Sequence, residues 1–165
     1  MTRSTHIAVF FLIALTLIMA ACSNDSCYDN GSSLPLATLH VGDRQQSIPG
    51  LAITGIGAPG DSVLARSSAI DEVYLPLRAS VTETRFAVWR TIAIDTVSVV
   101  IRDTLTIDYK AVPYFHSIEC GAMYNFDIHS VSHTRHGIDS VVILTPLVTN
   151  TRIPALRINF TDFSQ

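Results

Sequence analysis

No cluster of basic residues occurs anywhere in this chain, and charge of either sign is thin, with 11 Lys and Arg and 14 Asp and Glu in 165 residues. A phosphate backbone is neutralised by grouped cations, so scattered single arginines exclude a nucleic-acid binder. Long apolar runs are also missing. The longest, Ile7 to Met19, is shorter than the roughly 20 residues that span a bilayer as a helix. Beyond residue 21 no segment carries a convincing helical stripe, and only 65–71 offers room for a helical turn. Neither a G-x-S-x-G elbow nor an H-E-x-x-H helix is present, which removes two common hydrolase layouts. Gly55 and Gly57 in "TGIG" lack the spacing and following helix of a phosphate loop, and fit a bend or bulge instead. The length fits one domain.

What is present begins with "MTRSTHIAVFFLIALTLIMAAC". Arg3 gives a short positive start, an apolar stretch follows, and small Ala20 and Ala21 close it, which is the layout of an export signal. The ending Met19-Ala20-Ala21-Cys22 resembles a bacterial lipoprotein signal, with Met19 departing from the usual Leu. By that resemblance residues 1–21 are removed, Cys22 becomes the lipid-bearing first residue, and several acyl chains hold the protein stably to a bilayer. The shortened chain has 10 basic and 14 acidic residues, a formal charge of −4. Cys27 and Cys120 then remain as a pair. In an oxidising envelope compartment such a pair forms a disulfide, the alternative being two free thiols.

Residues 22–33 read as a polar tether, and 34–165 as a β domain. Strand candidates follow one another: "LATLHV", "LAITGIG", "EVYLPL", "TRFAVWRTIAI", "DTVSVVIRD", "DTLTIDYK", "AMYNFDIHSV", "SVVILTPL" and "ALRINFTDF". Several alternate strictly, with Phe86, Val88, Arg90 and Ile92 on one face and Leu105, Ile107 and Tyr109 on another. The surplus of Thr, Val and Ile suits a pleated surface. Seven to nine short amphipathic strands predict an antiparallel β-sandwich, with a small barrel as second choice.

The lipidated cysteine, the second cysteine soon after it, "DTLTIDYK" and "SIECGAMYNF" together resemble a family of small uncharacterised lipoproteins from Bacteroidetes. The resemblance implies an envelope-anchored β domain without an established activity, and it adds weight to a Cys27–Cys120 disulfide. It also brings the O-glycosylation signal of that phylum, which looks like Asp, then Ser or Thr, then an aliphatic residue, Ala, Met or Thr. Ser62, Thr96, Thr104 and Ser140 match it. The plainer reading is that Asp-Ser/Thr opens strands, with the acid in the turn.

Three histidines, His129, His133 and His136, lie near Asp127 and Asp139 and have the ligand chemistry of a transition-metal site. Strand geometry places His129 and His133 roughly 13 Å apart, so a solvated hairpin end is favoured and no metal is expected. Glu119 and Asp127 form no defined carboxylate pair across a cleft. Trp89 and the Tyr114-Phe115-His116 run are candidates for stacking on a sugar, although Trp89 reads more readily as a core residue. The expectation is a noncatalytic domain without a cofactor, lipid-anchored in the cell envelope at the outer membrane. Its partners would be the bilayer through Cys22 and an envelope protein, or alternatively glycan or peptidoglycan; a small hydrolase is third.

Overall fold

The computed structural model describes residues 33–163, apart from 59–62, 67–69, 95 and 119. The export signal, Cys22, Cys27, Ser62 and Glu119 lie outside these residues.

The described chain is all β. In order, the strands are β1 (Leu36–Val41), β2 (Arg44–Gln45), β3 (Leu51–Gly55), β4 (Val63–Arg66), β5 (Glu72–Tyr74), β6 (Glu83–Ile94), β7 (Val97–Ser117), β8 (Gly121–His133), β9 (Ile138–Ile143), β10 (Leu147–Val148) and β11 (Pro154–Phe160). They form two sheets. One runs β2-β1-β11-β9, with β5 also paired to β1; the other runs β10-β8-β7-β6-β3-β4. Nearly every pairing is antiparallel, as expected, but β1 and β11 pair in parallel.

The core lies between the sheets. Leu39, Leu156 and Ile158 come from the first sheet, and Ile53, Phe86, Leu105, Ile107 and Phe126 from the second. Each such side chain stabilises the fold by about 1.5–3 kcal/mol when withdrawn from water. The period-two alternation therefore reads correctly for β6, for β11 and for Leu105–Tyr109 of β7. Tyr109 is buried too. Its hydroxyl donates to the Arg78 carbonyl at 2.9 Å, accepts from the Arg78 N–H at 3.0 Å and pairs with Thr84 Oγ1 at 2.7 Å. Its ring meets Phe126 edge-on at 5.4 Å.

Two sequence expectations need revision. "DTVSVVIRD" and "DTLTIDYK" are one continuous strand, β7, because Asp103 between them sits at an inward position of the ladder instead of in a turn. Ala65 and Arg66, offered as the start of a helical turn, belong to β4.

The two long hairpins overrun the sandwich. β3 pairs β6 only as far as Arg90, and β8 pairs β7 only as far as Leu105, so 91–100 is a two-stranded arm. At the other end, β6 leaves β7 at Asp108 and β10 leaves β8 at Phe126. Residues 111–124 thus form a second arm. Inward alternation of burial on β7 is confined to Asp103–Tyr109, between these overhangs.

Candidate functional site

The most heavily bonded polar group in the described domain is Asp103. It is 5% exposed and faces inward from the middle of β7. Its carboxylate accepts from Thr134 Oγ1 at 2.6 Å, the His136 N–H at 2.9 Å, the Gly137 N–H at 2.7 Å and the Ile138 N–H at 3.0 Å. The His136 ring contributes Nδ1 at 3.1 Å. Burial on its own raises this carboxyl, but the donors from Thr134, His136, Gly137 and Ile138 outweigh it and hold the pKa below the ordinary carboxylate value. The segment gripped here carries the chain from β8 in one sheet to β9 in the other. Asp103 is therefore a latch on the inter-sheet crossing, and all its acceptor capacity is used structurally. Sequence reading placed it in a candidate glycosylation signal; the available clue was an acid at a position whose neighbours two residues away, Ile101 and Leu105, are apolar.

The histidines do not converge. His129 is exposed and lies 3.7 Å from Asp127 Oδ2, whereas His133 Nδ1 contacts the Thr134 carbonyl at 2.8 Å and His136 is taken by Asp103. The ladder steps from Ser130 to Ile128, leaving His129 as an extra residue and breaking the alternation between it and His133. Among the described residues, no group of three or more His, Cys, Asp or Glu is placed to hold a metal ion. Nothing described joins Asp127 into a catalytic pair.

Trp89 faces outward, 40% exposed, contrary to the expectation of a core residue. The reason is parity: Val88 and Arg90 take the inward positions of β6, and Trp89 pairs with Arg102 across β7. The Arg102 guanidinium lies 5.9 Å from the Trp89 ring centroid. Arg90 turns inward, donates to the Thr161 carbonyl at 2.7 Å and lies over the Phe163 ring at 5.3 Å. The terminal segment thus crosses the foot of the β6–β7 arm. Beyond it Val97, Val99 and Val100 are exposed.

On the second arm, Tyr114 and His116 meet edge-on at 6.0 Å, while Phe115 is 69% exposed on the other face. Ile118 at its tip is 89% exposed, and Tyr124 is also exposed. Ile118 was not singled out by sequence, since a lone isoleucine in a turn carries no periodic signal. A separate apolar cleft of about 280 Å³ opens between the β3–β4–β6 part of the six-stranded sheet and the loop after β5, beside Ile56, Leu64, Leu77 and Phe86.

Of the glycosylation candidates, Thr96 stands on the exposed turn of the β6–β7 arm. Thr104 lies within β7, its N–H donating to Thr134 Oγ1, and the Ser140 hydroxyl accepts from Asn159 Nδ2. The expected Cys27–Cys120 disulfide needs correction. Cys120 is the one cysteine among the described residues, so no bridge joins two of them. Cys120 is disulfide-bonded, not a free thiol, but nothing within the described residues gives Cys27 as its partner. Within them the sheets are joined by packing and main-chain ladders, not a cross-link. No helix among the described residues is long and apolar enough to cross a bilayer.

Comparison with curated proteins and with solved structures finds no match. A family described as one of unknown function, DUF6452, matches residues 50–160, from the turn before β3 to the end of β11. That span contains the whole six-stranded sheet, the Asp103 latch and both arms, and the chain belongs to the DUF6452 family.

Proposed function

We propose that this chain is a noncatalytic lipoprotein of the cell envelope, anchored through lipid on Cys22, whose β domain works by contact with an envelope protein. One observation carries the reading: apolar side chains are displayed on two-stranded arms outside the sandwich. Val97, Val99 and Val100 on the first arm are exposed although each belongs to a regular ladder. An isolated two-stranded ribbon is marginal in water, so side chains of this kind gain most by packing on a partner. Arg102 beside Trp89 adds a cation and a ring of the kind enriched at protein contacts.

Glycan binding is the rival reading, favoured by the exposure of Trp89. A sugar-stacking platform needs an open ring face, whereas this ring carries a guanidinium over it. The test is in-cell photocrosslinking from positions 97 and 100, followed by mass spectrometry. Reproducible recovery of one envelope protein supports the contact reading. Recovery of none, with measurable binding of an envelope glycan that Trp89→Ala abolishes, supports the rival. Turnover of a defined substrate by the purified protein would overturn the noncatalytic reading. Intact mass of the membrane fraction tests the anchor separately: loss of residues 1–21 plus lipid is expected.

A further inference from the structure

We infer that the tip of the β7–β8 arm rests in the lipid interface, so that the domain touches the bilayer at a second point besides its N-terminal lipid. This rests on the proposed anchoring through Cys22. The first ground is chemistry. From Ala111 to Tyr124 the sequence contains no Lys or Arg and one carboxylate, Glu119. Phe115 and Ile118 are the most exposed large apolar side chains of the described domain. Tyr124 stands between them and the sandwich, and Tyr rings favour the boundary between hydrocarbon and water.

The second ground is where the tether joins the domain. Ser33 is buried, and its hydroxyl donates to Asn125 Oδ1 at 2.9 Å. Asn125 lies on β8 at the base of the arm, four residues from Gly121 at the turn, about 13 Å along the strand. Ten residues separate Cys22 from Ser33, so the tether spans at most about 40 Å. A bilayer holding Cys22 therefore lies within about 40 Å of the base of this arm, which brings this tip within its reach. The opposite tip, at Val97, lies fifteen residues along β7 from Val112, the partner of Asn125, or about 50 Å away.

Insertion must be shallow. The arm has two open edges, and its unpaired main-chain groups cannot be taken into hydrocarbon. Phe115 and Ile118 entering the headgroup and upper acyl region, with the strands above in water, meets that limit. With no Lys or Arg between Ala111 and Tyr124, attachment requires no anionic lipid.

The experiment uses the full chain in phosphatidylcholine vesicles with brominated acyl chains. Trp89→Phe with Phe115→Trp puts the one indole at the tip; the native protein keeps it at position 89. At least twofold stronger quenching at 115 than at 89 is expected, unchanged by phosphatidylglycerol. Equal quenching in a protein shown by mass to be lipidated overturns the inference and leaves the anchor intact. If the mass shows no lipid, the anchor reading fails, and cosedimentation of the full chain with vesicles decides the tip. Binding lost in Phe115→Ser/Ile118→Ser supports it, and absence of binding overturns it. A concentration-dependent dimer abolished by the same double variant, with the tip unquenched, overturns it in favour of a second copy as occupant.

Discussion

The two arms are built from the same strand, yet their feet are secured differently. At the foot of the β6–β7 arm, Arg90 reaches the terminal segment at Thr161 and Phe163, and the Thr91 N–H donates to the Gly50 carbonyl at 2.9 Å. A few residues inward, Asp103 grips the 134–138 crossing. At the foot of the β7–β8 arm, Tyr109 and Phe126 pack into the core, but Phe115 and Ile118 beyond them are bare. A polar network fixes the first; at the second, apolar burial is joined by the hydrogen bonds of the Tyr109 hydroxyl and of Ser33 with Asn125. The comparison teaches that a strand can serve as core over seven residues and as a display surface on either side. What changes along it is only the number of neighbouring strands.

Breaking the polar side first should have the largest effect. Asp103→Ala leaves the buried N–H groups of Gly137 and Ile138 without their acceptor, at about 1–3 kcal/mol for each orphaned group. A loss of about 4 kcal/mol in denaturant unfolding is expected, with early exchange of the 134–138 amides. The pH dependence gives a finer test. The folded-state pKa of Asp103 lies below the usual value of about 3.9, so its contribution is present above that pH and lost as pH falls through the folded value. Asp103→Asn should lack that acid limb. His40 gives an earlier loss: burial and then Arg157 lower its pKa, so stability declines as pH drops below about 6.5.

Gly50→Ala attacks the foot of the first arm alone. Gly50 has φ of 69°, and an added Cβ would lie 2.3 Å from the Thr91 carbonyl oxygen. Left-handed backbone disfavours alanine by about 1–2 kcal/mol, and the clash adds about 1–3 kcal/mol. About 3 kcal/mol is expected, with amide exchange accelerated near Thr91 and little changed near Tyr124. Equal acceleration in both arms would mean that their feet are coupled.

Tyr109→Phe probes the second arm's foot. The ring and its contact with Phe126 stay, while the Arg78 main chain and Thr84 lose the hydroxyl. About 1–2 kcal/mol is expected by calorimetry.

Much of the core is legible in the residues, for a physical reason. Where one face of a strand is buried against the other sheet, alternation is forced, so Phe86, Leu105, Ile107, Leu156 and Ile158 could be assigned inward from sequence. Asp103 obeys the same parity but reads from sequence as a strand end, because its partners come from 31 to 35 residues later and leave no local mark. Trp89 reads as core by its size, but its parity on β6 turns it outward. The arms escaped notice because a ribbon outside the core is under no demand to alternate. Val97 and Val99 look like core positions, and only the pairing limits show that no sheet faces them.

The smallest effect expected on stability is at the tip of the second arm. Phe115 and Ile118 lose little exposure on folding, so Phe115→Ser/Ile118→Ser removes no core contact and no ladder hydrogen bond. Substitutions of this kind stay within about 0.5 kcal/mol. Unfolding of the double variant by denaturant in vesicle-free solution should therefore superimpose on that of the native chain within this margin, with an unchanged slope. A loss above about 1 kcal/mol would show that the tip packs on the fold itself, setting this arm apart from the first, whose Val97, Val99 and Val100 are exposed. If the curves superimpose, two large apolar side chains are held in water without benefit to the free protein, and any benefit they bring must come from what they touch.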